Sequence, residues 1–403
     1  MPLRFREKKS FTREYIIVLF LLFNSFSWYF IGQLIVTKLT NVIDYSNLMN
    51  LSLEATFPLS IILSALIGSI FLSKLRKTRF LYIWFLFGTL VSLLPATPIG
   101  NSFIGAIIII GALGTSLGIG MPALLSYFAE SIPIENRGTI GGLTFFMVTA
   151  TAPLVILTAS TLNLISSAIL FTIWRSWSIP LILVSQRKNM CKLHYERKIS
   201  LLGIFHNKTF VLYFLAWLMF SMVDGFAQLR EFDFAMNIVE LVVAGFSALI
   251  AGILADRIGR KRIIISGFAS LGIAYAILGI APQLWISSLF YILVDGFAIG
   301  LLWTMFTIVI WGELSRFNTE KYYAVGEAPY FLTQLVSLLF APYVALIPET
   351  SAFSVAAFFL FIAVIPLLSV RETLPEKKIQ QRQLEIYTEE ALKLRQKVEQ
   401  KSK

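Results

Sequence analysis

Cysteine, histidine and charge are all scarce in this sequence. It has one cysteine, Cys191, so no intrachain disulfide can form. Its two histidines, His194 and His206, lie in the same polar stretch as Cys191. The three lack the short ligand spacing of a zinc site, so the stretch reads as a solvated linker with no metal or other cofactor. Only 14% of the 403 residues are charged, where a soluble domain has roughly a quarter. The hydrophobic share is 57% and the mean hydropathy +0.76. So much apolar side chain cannot be hidden inside so small a sphere, which excludes a water-soluble enzyme of one or two domains. An excess of 34 Lys and Arg over 23 Asp and Glu could mark a nucleic-acid partner. The placement of those charges favours a lipid bilayer and no nucleic acid.

What is abundant is the long apolar run. A helix needs about 20 apolar residues to span the hydrocarbon core, and twelve such stretches can be read. The first six are Tyr15–Thr37, Leu48–Leu72, Phe80–Ala96, Ile99–Phe128, Thr139–Ala159 and Leu162–Val184. The second six are Thr209–Gln228, Phe234–Ala255, Ile263–Ala281, Leu284–Trp311, Tyr322–Ile347 and Ser351–Val370. Helices are expected because each span must satisfy its own backbone in lipid. The first is too long for a cleaved signal and is expected to stay as a span. Lys and Arg crowd alternate loops, from Lys74 to Arg79, at Arg137, from Arg187 to Lys208, from Arg257 to Arg262, and at Arg316 and Lys321. The opposite loops hold only Lys38 and Arg230. By the positive-inside rule both termini face the cytoplasm, in a multi-pass protein of the cell membrane. The organisation expected is a tail over 1–14, a bundle over 15–184, a linker over 185–208, a second bundle over 209–370 and a tail over 371–403. In that last tail Leu384, Tyr387, Ala391, Leu394 and Val398 share one face of an amphipathic helix.

The two halves repeat each other. Gly68 to Arg79 reads GSIFLSKLRKTR, and Gly252 to Ile263 reads GILADRIGRKRI. Ser64 and Gly68 answer Ala248 and Gly252, small residues four apart that allow close helix approach. Glu130, Arg137 and Gly142 answer Glu313, Lys321 and Gly326. Duplicated six-helix halves are a frequent plan of secondary transporters. The segment Gly252-Ile-Leu-Ala-Asp256-Arg257-Ile-Gly259-Arg260-Lys261 resembles the signature loop of the major facilitator superfamily. Tyr127, Glu130, Pro133, Arg137 and Gly138 resemble the pattern of its sugar-porter-like branch, which includes general metabolite transporters. The ending Glu372-Thr373-Leu374-Pro375 is similar too.

The resemblance implies an all-α membrane fold of twelve helices in two pseudo-symmetric bundles. It implies that the Asp256 carboxylate docks on the start of the fifth span, near Gly138 and Thr139. It further implies ionic clasps within each half, Arg260 with Glu313, and Arg76 and Glu130 with Arg137. The alternative is that these are ordinary positive-inside charges with incidental acids. Ser73 stands where the first-half acid is expected, which predicts a gate leaning on Asp256.

Ionisable groups within spans are functional candidates by default. Asp295 falls near the midplane of the tenth span and, by the family's architecture, would face substrate. With Asp224 and Glu240 it forms the set of proton-coupling candidates, since a carboxyl group whose hydration alternates can take up and release a proton. Glu327 falls in the first turn of the eleventh span, where a helix start alone could account for it. Arg175 sits on a peripheral helix and reads as snorkelling to the surface. Asn24, Trp28, Trp303 and Gln334 are candidate cavity residues. The expectation is a non-enzymatic, proton-coupled symporter of a small organic molecule, working as a monomer. A membrane sensor on the same scaffold, or an integral-membrane enzyme, stays open as the alternative.

Overall fold

The apolar runs fold as helices because nothing in lipid would satisfy an exposed peptide group. In the computed structural model, residues 13–41, 47–71, 77–186, 200–227, 234–315, 318–344 and 346–376 are described, with positions 380, 381, 384 and 388. Among these residues there is no strand, and twelve helices are long and apolar enough to cross a membrane. We number them α1 (Arg13–Thr40), α2 (Leu48–Phe71), α3 (Lys77–Ala96), α4 (Phe103–Ser131), α5 (Ile134–Thr158) and α6 (Leu164–Ser185). The second six are α7 (Lys208–Ala227), α8 (Ala235–Ile258), α9 (Arg260–Ile280), α10 (Trp285–Leu314), α11 (Thr319–Val344) and α12 (Glu349–Ser369).

Packing repeats between the halves. In the first, α2 lies along α4; in the second, α8 lies along α10 in the same way. Two pairings cross between halves, α5 on α8 and α2 on α11, and each is the image of the other. Small residues make the first of these close. A Cβ added at Gly142 would overlap the Ala248 carbonyl oxygen, and one at Gly252 would overlap that of Gly138. The two helices therefore touch backbone to backbone.

Two elements depart from the spans read in the sequence. The helix of α11 begins at Thr319, three residues before Tyr322, so Glu327 lies in its third turn and not its first. In α10 the seven residues Thr304–Ile310 form a π-helix, a form that is frequent at functional sites. The run is rich in β-branched residues, which crowd an α turn. Hydroxyls take up its loosened carbonyls: Thr307 Oγ1 donates to Trp303 O at 2.7 Å and the Tyr323 hydroxyl to Ile308 O. Most of the predicted tail helix (Tyr387, Ala391, Leu394 and Val398) and the linker residues Cys191 and His194 lie outside the described residues.

Candidate functional site

The end of the molecule that carries Lys77, Arg137, Arg257 and Lys261 is its basic end, and there the two halves meet at Asp256. Asp256 lies in the last turn of α8 and is 2% exposed. Its Oδ1 accepts the amide of Gly138 at 3.0 Å, and its Oδ2 accepts the amide and hydroxyl of Thr139 at 2.8 and 2.6 Å. Those amides lie in the first turn of the α-helical part of α5, which begins at Arg137, where free N–H groups and the helix dipole favour a negative charge.

Arg260 ties this contact to the rest of the second half. Its guanidinium lies 2.9 Å from both Asp256 and Glu313, all three side chains being fully buried or nearly so. It also donates to Ile134 O of the first half at 2.6 Å and to Ala255 O at 2.6 Å. Gly259 makes the turn before it with φ +102°, a left-handed conformation that disfavours a side chain. Glu372 then caps the start of α9, accepting the amides of Arg260 and Lys261 at 2.9 and 3.0 Å.

The first half is organised differently. Glu130 pairs with Lys77, while Arg137 donates to the carbonyls of Ile132, Ala129 and Gly312. The clasp of Glu130 with Arg137 is thus corrected: the guanidinium serves carbonyls left free at the end of α4 and α10. Arg76 and Ser73 lie outside the described residues.

Between α1, α2, α4, α10 and α11 lies a cavity of about 70 Å³. Its walls are mostly apolar and aromatic, among them Phe26, Tyr29, Trp303, Tyr330 and Phe331. Trp303 meets Tyr330 edge to face at 5.0 Å, and Tyr29 meets Phe331 the same way at 5.9 Å. Glu327 also lines it, its Oε1 accepting the Trp311 indole N–H at 3.0 Å. The Trp303 indole N–H is buried without a partner among the described residues. Of the four cavity candidates, Trp303 lines the hollow, while Gln334 stands behind the wall and donates to the Tyr29 hydroxyl at 3.4 Å.

The other two candidates turn inward. Asn24 Nδ2 donates to Trp174 O at 2.6 Å, and Trp28 Nε1 donates to Ser92 Oγ at 2.9 Å. Both surround Arg175, which is fully buried and does not reach the surface. Its guanidinium lies 4.1 to 4.5 Å from the ring centres of Trp28, Trp84 and Phe85, and donates to Asn24 Oδ1 and Ser25 Oγ. Aromatic faces stabilise a desolvated cation, and here they replace the water that snorkelling would have reached.

Asp295 is likewise absent from the cavity wall. It is buried within the second half, hydrogen-bonded by Tyr291 and within electrostatic reach of Glu240 and Asp224. The reason is the neighbouring face of α10: Gly296 and Gly300 press against the backbone of α8. Asp224 and Glu240, on α7 and α8, are half-buried. Among the described residues, no cluster of three His, Cys, Asp or Glu could hold a metal ion.

A twelve-helix bundle with repeated pairing, a cavity between its halves and a carboxylate joining them at one end is a transporter architecture. Over residues 201–400 the sequence matches the family described as Major Facilitator Superfamily, and the chain belongs to it. An uncharacterized protein of Aquifex aeolicus (strain VF5) is 26% identical over 304 residues, covering 72% of this chain and 75% of that one. Two solved structures extend the fold over both halves. The human organic anion transporter MFSD10 (TETRAN) superposes with a TM-score of 0.60 at 13% identity, covering 88% of this chain and 98% of that one. The proton:xylose symporter XylE, bound to 6-bromo-6-deoxy-D-glucose, gives 0.61 at 16% identity, covering 89% and 96%.

Proposed function

We propose that the chain is a secondary active transporter that carries a small organic solute across the cell membrane by alternating access, driven by protons. The observation that carries this reading is the Asp256 carboxylate seated on the first turn of α5, beside a cavity between the halves. A contact of this kind closes one end while leaving the middle of the protein hollow. By the positive-inside rule the closed end is cytoplasmic, and with it both termini. The two bundles, 15–184 and 209–370, rock about the cavity as a monomer, and breaking the Asp256 contact opens the cytoplasmic side. A partly buried carboxylate at a helix start is worth up to about 2 kcal/mol, enough to tilt two access states without freezing either.

Proton coupling is assigned to Asp295 with Asp224 and Glu240. A carboxyl group buried in a span, with two further acids within electrostatic reach, can take up and release a proton as its hydration changes. In proteoliposomes a panel of labelled sugars, carboxylates, amino acids and organic cations is offered under an imposed pH gradient. The expected result is saturable accumulation of one class, collapsed by a protonophore and lost in Asp295→Asn, with exchange at equal pH retained. Uptake indifferent to pH and unchanged in Asp295→Asn removes the coupling; no flux of any solute without a partner protein removes the transporter.

A further inference from the structure

We infer that the cavity between α1, α2, α4, α10 and α11 binds a lipophilic organic monocation, with Glu327 as its counter-charge. Three independent features of the cavity converge on that class. The first is charge. Among the described lining residues Glu327 is the only carboxylate, and none is Lys, Arg or His. An organic anion would meet a like charge here with no cation to offset it.

The second feature is incomplete satisfaction. Glu327 Oε1 is held by Trp311, but Oε2 has no partner among the described residues. The indole N–H of Trp303, in the same cavity, is buried and unpaired. A carboxylate in an apolar hollow is expensive to keep ionised unless a positive charge comes to it. The second large hollow makes the contrast. Between α1, α5 and α6, the Lys38 ammonium is already bonded to Leu162 O and Ser167 Oγ at 2.6 and 2.8 Å.

The third feature is the wall itself. Tyr29, Trp303, Tyr330 and Phe331 present ring faces and edges around this space. Aromatic faces bind desolvated cations through their quadrupoles, most strongly when the cation carries a weakly hydrated apolar surface. A sugar would find few hydrogen-bonding groups and would leave most of its hydroxyls unpaired. The π-helical turns of α10 help to aim Trp303 and Thr307 into this space, and Trp311, directly after them, orients Glu327.

The inference deepens the transporter reading and rests on it for delivery across the membrane, but binding is measured without flux. Tetraphenylphosphonium and tetraphenylborate have nearly the same size and shape and opposite charge. Each is titrated into purified protein in detergent, followed by thermal shift and by tryptophan fluorescence. Tetraphenylphosphonium should bind at micromolar concentration and raise the melting temperature, and tetraphenylborate should not. Glu327→Gln, which mimics the uncharged acid, should weaken the cation at least 10-fold, and Trp303→Ala by about 3- to 10-fold. Equal binding of the two ions, no binding of tetraphenylphosphonium, or full affinity in Glu327→Gln would overturn the assignment. The ion comparison needs no variant, so it decides even if Glu327→Gln fails to fold. Cation binding without flux in proteoliposomes keeps the ligand class and sinks the transporter; flux of another solute without cation binding does the reverse.

Discussion

The seam between α5 and α8 and the cavity beside it are built from the same chain to opposite ends. At the seam both Asp256 oxygens are occupied, Arg260 bridges two carboxylates, and backbone meets backbone at Gly142 and Gly252. In the cavity Glu327 is held by one oxygen, and the Trp303 N–H has no partner, among the described residues. Buried polar groups are paired almost everywhere in proteins, so each exception calls for a reason. Complete pairing marks where this protein has closed on itself. Incomplete pairing in the cavity is what the organic cation proposed above would complete.

The strongest way to break this contrast is to force the seam apart. In Gly252→Leu the first added carbon already overlaps the Gly138 carbonyl oxygen and lies 3.1 Å from the Gly142 Cα. Backbone on both sides leaves nothing soft to move. An overpacking cost of about 3 kcal/mol shifts the balance away from the closed seam roughly 100-fold. Spin labels at the basic ends of α5 and α8 should report a longer distance, while the protein stays folded. Gly32→Ala is the matched control, because its Cβ would meet only the ring ends of Phe57 and Phe171 at 3.6 and 3.7 Å. Unchanged distances in Gly252→Leu would mean that side chains, not backbone contact, hold the seam.

The seam was far more legible in the sequence than the cavity, and the reason is geometric. A run of apolar residues long enough to span, and an acid with basic neighbours at its end, are local patterns. Which way each helix turns is not local. In α1 Asn24 and Trp28 are four apart and share a face toward Arg175, while Tyr29, one residue on, is rotated by about 100° into the cavity. Both faces are apolar, so no polarity contrast could say which was which. Glu327 was read as an ordinary helix-start acid because the polar residues Thr319 to Lys321 hid the first turn of α11. Arg175 was read as a surface group because its aromatic cage is assembled from α1 and α3, far away in sequence.

A smaller change sharpens the comparison by exchanging the chemistry without the bulk. Asp256→Asn keeps one acceptor but turns an N–H₂ group toward amides that also donate, and it takes away the charge facing Arg260. The expected loss is about 1.5 to 2 kcal/mol, or roughly 10- to 30-fold in the population of the closed seam. The same spin-label pair should show a bimodal distance distribution. Glu327→Gln, by contrast, should leave that distribution as it is in the unmodified protein. If the two variants moved the seam alike, the cavity acid would belong to the gate and the division drawn between the regions would fall.

The smallest effect is expected at Glu372, where the same chemistry has a different job. Its carboxylate accepts the amides of Arg260 and Lys261 at the start of α9, much as Asp256 accepts those of Gly138 and Thr139. The difference is that Glu372 follows α12 and joins two pieces of the same half, which would not part under the alternating access proposed above. Its energy therefore secures a helix end and does not choose between states. Glu372→Gln keeps an acceptor and loses the charge that favours the helix start, about 0.3 to 1 kcal/mol. Amide exchange over the first turn of α9 should quicken by roughly 2- to 5-fold, with the α5–α8 distances unchanged. Exchange as slow as before would mean that the backbone turn at Gly259 holds the helix start without help. A shift in the seam as large as that of Asp256→Asn would make Glu372 part of the gate.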